Sequence, residues 1–242
     1  MLAATPVSTQ VGPKRSWRGR PPRQAALSAW GLLGRKLVRD RLALLGLCII
    51  IGLLLTAIFA PYLAPFPEDI AATHPPQRLK GPSWEHPMGT DALGRDIASR
   101  VLFGGRITLI VSLTVVLSCL VVGVPAGLIA GYYDNAVSQV IMRLADIFLA
   151  IPRVILALAI AQALGASLPN MILALTVTYW PWFTVIVAAE TKAVKKAIFI
   201  EATETLGIGP WRTMLYHILP NLMSPIIVRS TLSMGITIMT AA

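Results

Sequence analysis

EATETLGIGPWRTMLYHILP, residues 201–220, is a polar stretch that lies between two apolar segments of the chain. Residues 197–206 (AIFIEATETL) are compatible with a short helix. Gly207 and Gly209 follow without the constraint of a Cβ atom, and Gly207 can end that helix in the left-handed conformation. Pro210 then suits the first turn of a second helix, where a missing N–H costs nothing. The stretch therefore predicts a helix–turn–helix elbow rather than a solvated loop.

The composition places this elbow in a membrane protein. Of the 242 residues, 55% are hydrophobic and only 13% are charged, whereas soluble domains average about a quarter charged residues. Nine Lys or Arg precede the first apolar stretch, against the single acid Asp40. This bias predicts a cytoplasmic N-terminus. Nucleic-acid binding is the weaker explanation of the net charge of +10, because no aromatic platform accompanies the basic residues.

Apolar stretches predict an all-α polytopic protein with about five crossings. A basic tail at 1–41 precedes a transmembrane domain at 42–242. Charge balance predicts that 61–100 lies on the periplasmic side and that 190–216 lies in the cytoplasm with the elbow. Pro61 is expected to end the first crossing, and Pro152 and Pro181 to kink later ones. The predicted crossings are 42–60, 107–131, 137–164, 171–189 and 218–242.

Within the crossings, three groups of residues are candidates for specific roles. Gly123, Gly127 and Gly131 repeat every four residues, which predicts close packing of another helix on that face. Asp146, three residues after Arg143, can form an ion pair with it or line a pathway. The third group is a pair of tryptophans in the middle of an apolar stretch, candidates for packing or for lining the substrate path: Trp180 and Trp182.

Sequence motifs for catalysis and for cofactor binding are missing. The chain has no phosphate-binding Gly-x-x-x-x-Gly-Lys-Ser/Thr loop, no zinc-binding His-Glu-x-x-His helix and no Gly-x-Ser-x-Gly turn. His74, His86 and His217 are far apart in sequence and are expected to be ordinary surface or loop residues rather than metal ligands. We therefore expect no catalytic residue, no metal and no bound cofactor in this chain.

The elbow carries a motif with a known counterpart. Glu201-Ala202-Thr203, then Gly207 with Gly209, then Leu219-Pro220 resembles the EAA motif in permease subunits of bacterial ATP-binding-cassette importers. In that family the elbow is a coupling helix that docks onto a separate ATPase. Thr203 replaces the usual second alanine, and His217 replaces an isoleucine. The resemblance implies that these residues couple the chain to an ATPase, with Pro220 setting the entry angle of the fifth crossing.

A second motif narrows the resemblance to one branch. HPMGTDALGRDIASR at 86–100, followed by Gly104-Gly105-Arg106, is similar to the dipeptide, oligopeptide and nickel permeases, in the branch of the second, C-type permease. The similarity covers about residues 35–242. The branch has six crossings, so we expect a C-terminus that is truncated or incompletely represented after Ala242.

The resemblance also implies the partners, the location and the solute of the chain. Expected partners are a second permease subunit, two ATPase subunits that carry ATP and Mg, an extracytoplasmic solute-binding protein, and the lipid of the bacterial inner membrane. The solute is a peptide or a related small molecule, and nickel or metal chelates, opines and glutathione stay open as alternatives. An ATPase-independent scaffold or channel subunit is a further alternative, and an intramembrane enzyme lacks a catalytic constellation.

Overall fold

The computed structural model describes residues 40–70 and 72–241, and their regular structure is helical apart from one isolated bridge between Thr90 and Asp96. The predicted all-α membrane architecture is confirmed. The predicted tail at 1–41 lies outside the described residues except for its last two positions. These residues divide into two compact units, one extending through Gly52 and the other beginning at Leu53.

The described residues contain seven α-helices of eight residues or more. Four helical segments are long and apolar enough to cross a membrane, with a fifth crossing if one bent pair counts as a single span, which agrees with the predicted number. The helices are α1 (Arg41–Leu63), α2 (Ile97–Tyr132), α3 (Ala136–Ala150), α4 (Arg153–Leu164), α5 (Leu168–Lys195), α6 (Ile198–Thr205) and α7 (Leu219–Ala241).

Two of the three proline predictions needed correction. Pro61 lies inside α1, which continues to Leu63, so the predicted end at residue 60 was wrong. The fixed φ of proline is compatible with a helix. A membrane helix tolerates the missing N–H when the carbonyl that would have accepted its hydrogen bond finds another partner. Pro152 does more than kink a helix: α3 ends at Ala150, α4 begins at Arg153, and their axes differ by 90°. Ile151 is extended, as expected for a residue that precedes proline. Pro181 lies within the continuous helix α5.

Helices α2 and α5 form the closest packing in the second unit. A Cβ atom added to Gly123 would lie 2.7 Å from the Phe183 Cβ atom, and one added to Gly127 would lie 2.6 Å from the Val187 Cβ atom. At Gly131 the corresponding distance to the Thr191 Cβ atom is 2.5 Å. A real Cβ atom could not lie this close to its neighbours. The three glycines therefore allow the two backbones to approach more closely than they could with alanine or serine at these positions.

Two buried apolar clusters continue this contact. The first lies around the middle of α2 and α5 and receives Ala157 from α4; its members are Val111, Val115, Val116, Cys119, Ala157, Leu175, Tyr179 and Phe183. The second connects the ends of α2 and α5 with the elbow and with α7; its members are Leu128, Tyr132, Val187, Ile200, Met214, Ile218, Leu222 and Ile226. The elbow therefore shares a core with the membrane helices.

The segment between α1 and α2 folds around buried polar groups. Asp96, at the N-cap of α2, accepts hydrogen bonds from the Ser99 backbone N–H and hydroxyl, each at 2.7 Å, and its other oxygen lies 3.1 Å from His86 Nδ1. The Asp96 backbone N–H donates to Asp69, which also pairs with His74 at 3.1 Å. These bonds join residues that are far apart in sequence, so they fix the segment against the start of α2.

His86 lies in a loop, as expected, but it is not a surface residue. Its side chain is buried beneath Phe66, whose ring centroid lies 4.8 Å from that of the imidazole. A histidine can occupy such a site because the Asp96 carboxylate satisfies one ring nitrogen. His74 is half-exposed but bound to Asp69. Nothing in the spacing of these residues along the chain indicated that the fold would bring them together.

The glycines of the 86–100 motif are required by the backbone. Gly94 has φ +78°, and an added Cβ would overlap the His74 carbonyl oxygen. Gly89 has φ +73°, and an added Cβ would lie 2.5 Å from the Lys80 carbonyl oxygen. Both positions combine the left-handed conformation with a close backbone neighbour, a combination that only glycine meets without strain. The motif that resembles the peptide permeases thus has a structural role in this segment.

Two carboxylates of this segment have depressed pKa values. For Asp91, partial burial acts to raise the pKa, but hydrogen bonds from the Arg95 and Leu93 amides and the Arg95 guanidinium act more strongly and lower the pKa to about 2. Arg100 adds a second ion pair to Asp91 at 2.6 Å. For Asp96, burial also opposes ionisation, but the bonds from Ser99 and His86 lower the pKa. Both groups stabilise the fold in their ionised state.

Gly127→Ala is predicted to weaken the packing between α2 and α5. The added methyl must displace Val187 and the Thr184 carbonyl, which lies 2.7 Å from it. Overpacking of this kind costs about 1–3 kcal/mol. The measurement is the thermal stability of the purified complex in detergent. The matched control is Gly104→Ala on the same helix, where an added Cβ meets no atom within 4 Å; equal stability of both variants would contradict the prediction.

Asp96→Ala is predicted to loosen the segment between α1 and α2, because the amide and hydroxyl of Ser99 lose their acceptor. A buried donor left without a partner costs about 1–3 kcal/mol. Hydrogen exchange of residues 86–99 in the intact complex measures the change. Glu85→Ala, at an exposed position, is the control.

The same experiment has a pH dependence of known sign. Folding lowers the pKa of Asp96. The contribution of this carboxylate to stability is therefore fully present above its pKa in the unfolded chain, about 4, and is lost as the pH falls through its pKa in the folded chain. Protection of residues 86–99 in the natural protein should therefore decrease in acid, and Asp96→Ala should make this decrease smaller. Identical pH profiles would exclude the role given to this carboxylate.

Candidate coupling site

The predicted elbow is present, and its turn is a Schellman motif. Helix α6 ends at Thr205, and Gly207 follows with φ +74°. The Gly207 N–H donates to the Glu204 carbonyl at 3.0 Å, and the Ile208 N–H donates to the Thr203 carbonyl at 3.1 Å. These two bonds define the motif and satisfy carbonyls at the end of the helix. The left-handed conformation predicted for Gly207 is confirmed.

Gly209 and Pro210 begin the second arm of the elbow. Pro210 occupies the first turn of a short helix, Pro210–Arg212, as predicted from the sequence. Gly209 precedes it with φ −63° and ψ 152°, an extended conformation that any residue can adopt. Of the two glycines, therefore, only Gly207 is required by its backbone conformation.

The second arm continues into α7 through a wide helical turn. Residues Thr213–Ile218 form a π-helix, and the Leu219 N–H bonds to the Met214 carbonyl, five residues earlier. Pro220 comes next, and it has no N–H for an α-helical bond to Tyr216. The π turn provides space for this proline without breaking the helix. Leu219 and Pro220 thus form the start of α7, where the sequence predicted a change of direction.

The inner side of α6 is anchored in the membrane helices. Ile200 is fully buried and belongs to the cluster that contains Met214 and Ile218 of the second arm. Thr203 is also buried, and its hydroxyl donates to the Ile200 carbonyl at 2.7 Å. A hydroxyl that bonds to its own helix needs no other partner, which explains why threonine is tolerated where the motif usually has alanine. Sequence reasoning did not single out Ile200.

A polar contact holds the end of α6 to the end of α2. The Tyr132 hydroxyl donates to Glu204 Oε1 at 3.1 Å, and the Tyr132 carbonyl accepts from the Lys195 ammonium at 2.7 Å. The same ammonium lies 5.1 Å from the centre of the Tyr132 ring. Tyr132 thus connects α2, α5 and α6. No sequence pattern indicated this contact, since the three residues lie on different helices.

The outer side of the elbow is exposed and largely apolar. Ile198 is 84% exposed, Leu206 is 79% exposed and Trp211 is 61% exposed. Glu201 and Ala202 of the predicted motif are exposed on α6 as well. A groove of about 580 Å³ lies along the second arm, lined by Trp211, Arg212, Leu215, Tyr216 and His217. Exposed apolar side chains beside polar groups are characteristic of a protein interaction site.

The structure does not bring the candidate pathway residues together. Asp146 and Arg143 are both exposed on α3, and the ion pairs of the described residues do not include the one that their spacing allows. Trp180 packs edge-on against Phe148, with ring centroids 5.7 Å apart. Trp182 is 42% exposed and carries Arg229 of α7 over its ring. The two tryptophans therefore contact different helices.

These features define a multi-pass membrane protein with an anchored, partly apolar elbow outside its membrane helices. Two families match the chain: residues 123–242 match the binding-protein-dependent transport system inner membrane component, and residues 28–82 match the N-terminal TM domain of oligopeptide transport permease C.

Individual relatives cover most of the chain. A dipeptide transport system permease protein of Alkalihalophilus pseudofirmus is 41% identical over 217 residues, which is 90% of this chain and 71% of the relative. A glutathione transport system permease protein of Pectobacterium atrosepticum is 33% identical over 243 residues, 100% of this chain and 76% of the relative. A di/tripeptide transport system permease protein of Pseudomonas aeruginosa is 37% identical over 205 residues, which is 83% of this chain and 67% of the relative.

The chain belongs to the family of binding-protein-dependent transport system inner membrane components, as a permease subunit of an ATP-binding-cassette importer of the dipeptide and oligopeptide type. It is thus a multi-pass inner-membrane protein that works with ATPase and binding-protein partners.

Proposed function

We propose that the chain forms one half of a translocation pathway for peptides or related small solutes and is moved by separate ATPase subunits. A second, similar permease provides the other half, and two ATPase subunits bind ATP and Mg. The chain itself has no catalytic role and binds no cofactor. The observation that carries the proposal is the elbow, whose inner side is locked into the membrane core by Ile200 while its outer side is free to dock.

Docking at this surface would transmit force directly. Because Ile200, Met214 and Ile218 share one buried cluster with Leu128 and Val187, displacement of the elbow displaces the ends of α2, α5 and α7. A rigid element that joins an ATPase to membrane helices shifts the balance between inward-facing and outward-facing states. Glu201, Ala202, Leu206 and Trp211 are the residues that we assign to the docking surface. Thr203, Gly207 and Pro220 maintain its geometry.

The orientation that we propose for the chain rests on charge. Lys192, Lys195 and Lys196 precede the elbow, Arg212 lies in its second arm, and the predicted tail is basic. The positive-inside tendency puts both in the cytoplasm, where ATP is available. The folded segment between α1 and α2 then lies on the outer side, where it faces the solute-binding protein.

The solute that we propose is a small peptide, with glutathione as the second candidate. Both choices rest on the names of the relatives, two of which transport dipeptides or di- and tripeptides and one of which transports glutathione. These solutes share peptide bonds and free carboxylates. ATP-dependent uptake of dialanine and of glutathione by the reconstituted importer would decide between them.

Gly207→Val is predicted to uncouple transport from ATP hydrolysis. The space around Gly207 is open, so the effect comes from the backbone alone. A left-handed residue with a Cβ costs about 1–2 kcal/mol, a factor of about 5–30 in the population of the native turn. The measurement is ATP hydrolysis stimulated by the loaded binding protein, in complexes of verified composition. Gly209→Ala, at an extended position, and Gly207→Asn, which tolerates the left-handed region, are the controls. Normal stimulation in Gly207→Val would contradict the assigned role of the elbow.

Leu206→Glu is predicted to release the ATPase subunits while the membrane helices stay folded. The side chain lies on the outer side of the elbow, so a charge there disturbs docking and not the core. The measurement is the amount of ATPase that co-purifies with the permease. Trp84→Glu, another exposed apolar position but in the segment between α1 and α2, should recover the full amount. Retention of the ATPase by Leu206→Glu would mean that this surface is not part of the ATPase interface. Purification of the natural chain without any ATPase would favour a scaffold or channel.

A further inference from the structure

Arg229 carries a positive charge in the interior of α7, which belongs to a continuous helical segment long enough to span the membrane, Pro210–Thr240. It falls on the packed side of this helix, in line with the buried residues Leu222, Ile226, Ser233 and Thr237. Their spacing of three or four residues defines one helix face. An ionisable residue that faces protein rather than lipid within a span is a functional site by default.

The surroundings of Arg229 lack a counter-charge. The ion pairs formed in residues 40–70 and 72–241 do not include Arg229, and its Nε atom is buried without a hydrogen-bond acceptor in this part of the chain. A charge removed from water is costly unless it is paired and hydrogen-bonded. An anion from outside the described residues would therefore satisfy both the charge and the buried Nε donor.

The contact that Arg229 does make leaves its donors available. The guanidinium carbon lies 5.1 Å from the centre of the Trp182 ring on α5. A guanidinium above an aromatic ring uses its face for this contact, and its N–H groups remain free for a planar anion. The pair lies at the edge of the seam between α5 and α7, where Arg229 is half-buried and Trp182 is 42% exposed. A ligand can reach this edge from outside the chain.

We infer that Arg229, held by Trp182, binds a carboxylate of the transported solute within the membrane. The inference rests on the proposed function, since peptides and glutathione carry free carboxylates, and it adds the residue that recognises them. A carboxylate and a guanidinium form two parallel hydrogen bonds, which give both strength and orientation. Trp182 acts as a positioning residue: it fixes the guanidinium and contributes an apolar surface beside the site.

The test uses the importer reconstituted with its ATPase and binding-protein partners, and the probes are dialanine and its C-terminal amide. Loss of a charged hydrogen bond lowers uptake about tenfold or more. Arg229→Gln should thus reduce dialanine uptake by this factor and leave uptake of the amide unchanged, so that the preference for the free carboxylate disappears. Arg229→Lys keeps the charge but loses the two-pronged geometry, and it should give an intermediate rate. Arg143→Gln, which removes an exposed charge from α3, should behave like the natural protein.

Four other outcomes overturn the inference. Equal losses for dialanine and its amide would make Arg229 a structural residue, and no loss for either would place it off the path. Loss of the second permease from the Arg229→Gln complex, but not from the Arg143→Gln complex, would assign the missing counter-charge to that partner. Failure of the natural complex to take up either probe with ATP would instead overturn the proposed function, and the inference with it.

Discussion

The close contact between α2 and α5 is the constraint on which the rest of the second unit depends. Lipid provides no hydrophobic driving force between helices, so their association relies on contact area and on close approach of the backbones. Gly123, Gly127 and Gly131 allow that approach along one face of α2. The two buried clusters lie along the same pair of helices, and α4, α6 and α7 pack onto it. If the pair separated, both clusters would lose one of their walls.

In the coupling that we propose, the elbow acts on this pair of helices. Helix α6 has only one fully buried apolar side chain, Ile200, and an isolated helix of this length is unstable in water. It persists because the Schellman turn, the buried cluster and the bond from Tyr132 to Glu204 each fix it from a different side. The backbone also departs from regular α-helix at the 90° break between α3 and α4 and at the π turn before α7.

The parts of this structure that were predictable from the sequence depend on local rules. Apolar length identified the crossings, Gly207 and Pro210 identified the turn of the elbow, and the four-residue spacing of the glycines indicated a packing face. The contacts that could not be predicted depend on the tertiary fold. His86 is a loop residue, as expected, but nothing in the sequence indicated that it would be buried against Asp96, or that Tyr132 would reach Glu204. A local spacing can also allow a contact that the fold does not make. Arg143 and Asp146 are three residues apart, as an ion pair on one helix face requires, but they form none in the described residues.

The apolar outer side of the elbow has a consequence for the life of the protein in the cell. In the chain by itself, Ile198, Leu206 and Trp211 are exposed, and Leu206 and Trp211 belong to the docking surface that we propose. An exposed apolar surface attracts chaperones and proteases, so the abundance of an unassembled subunit depends on how soon a partner covers it. If the elbow docks onto the ATPase as we propose, permease made in excess of the ATPase would be removed by turnover, and the docking residues would also keep the subunits in proportion.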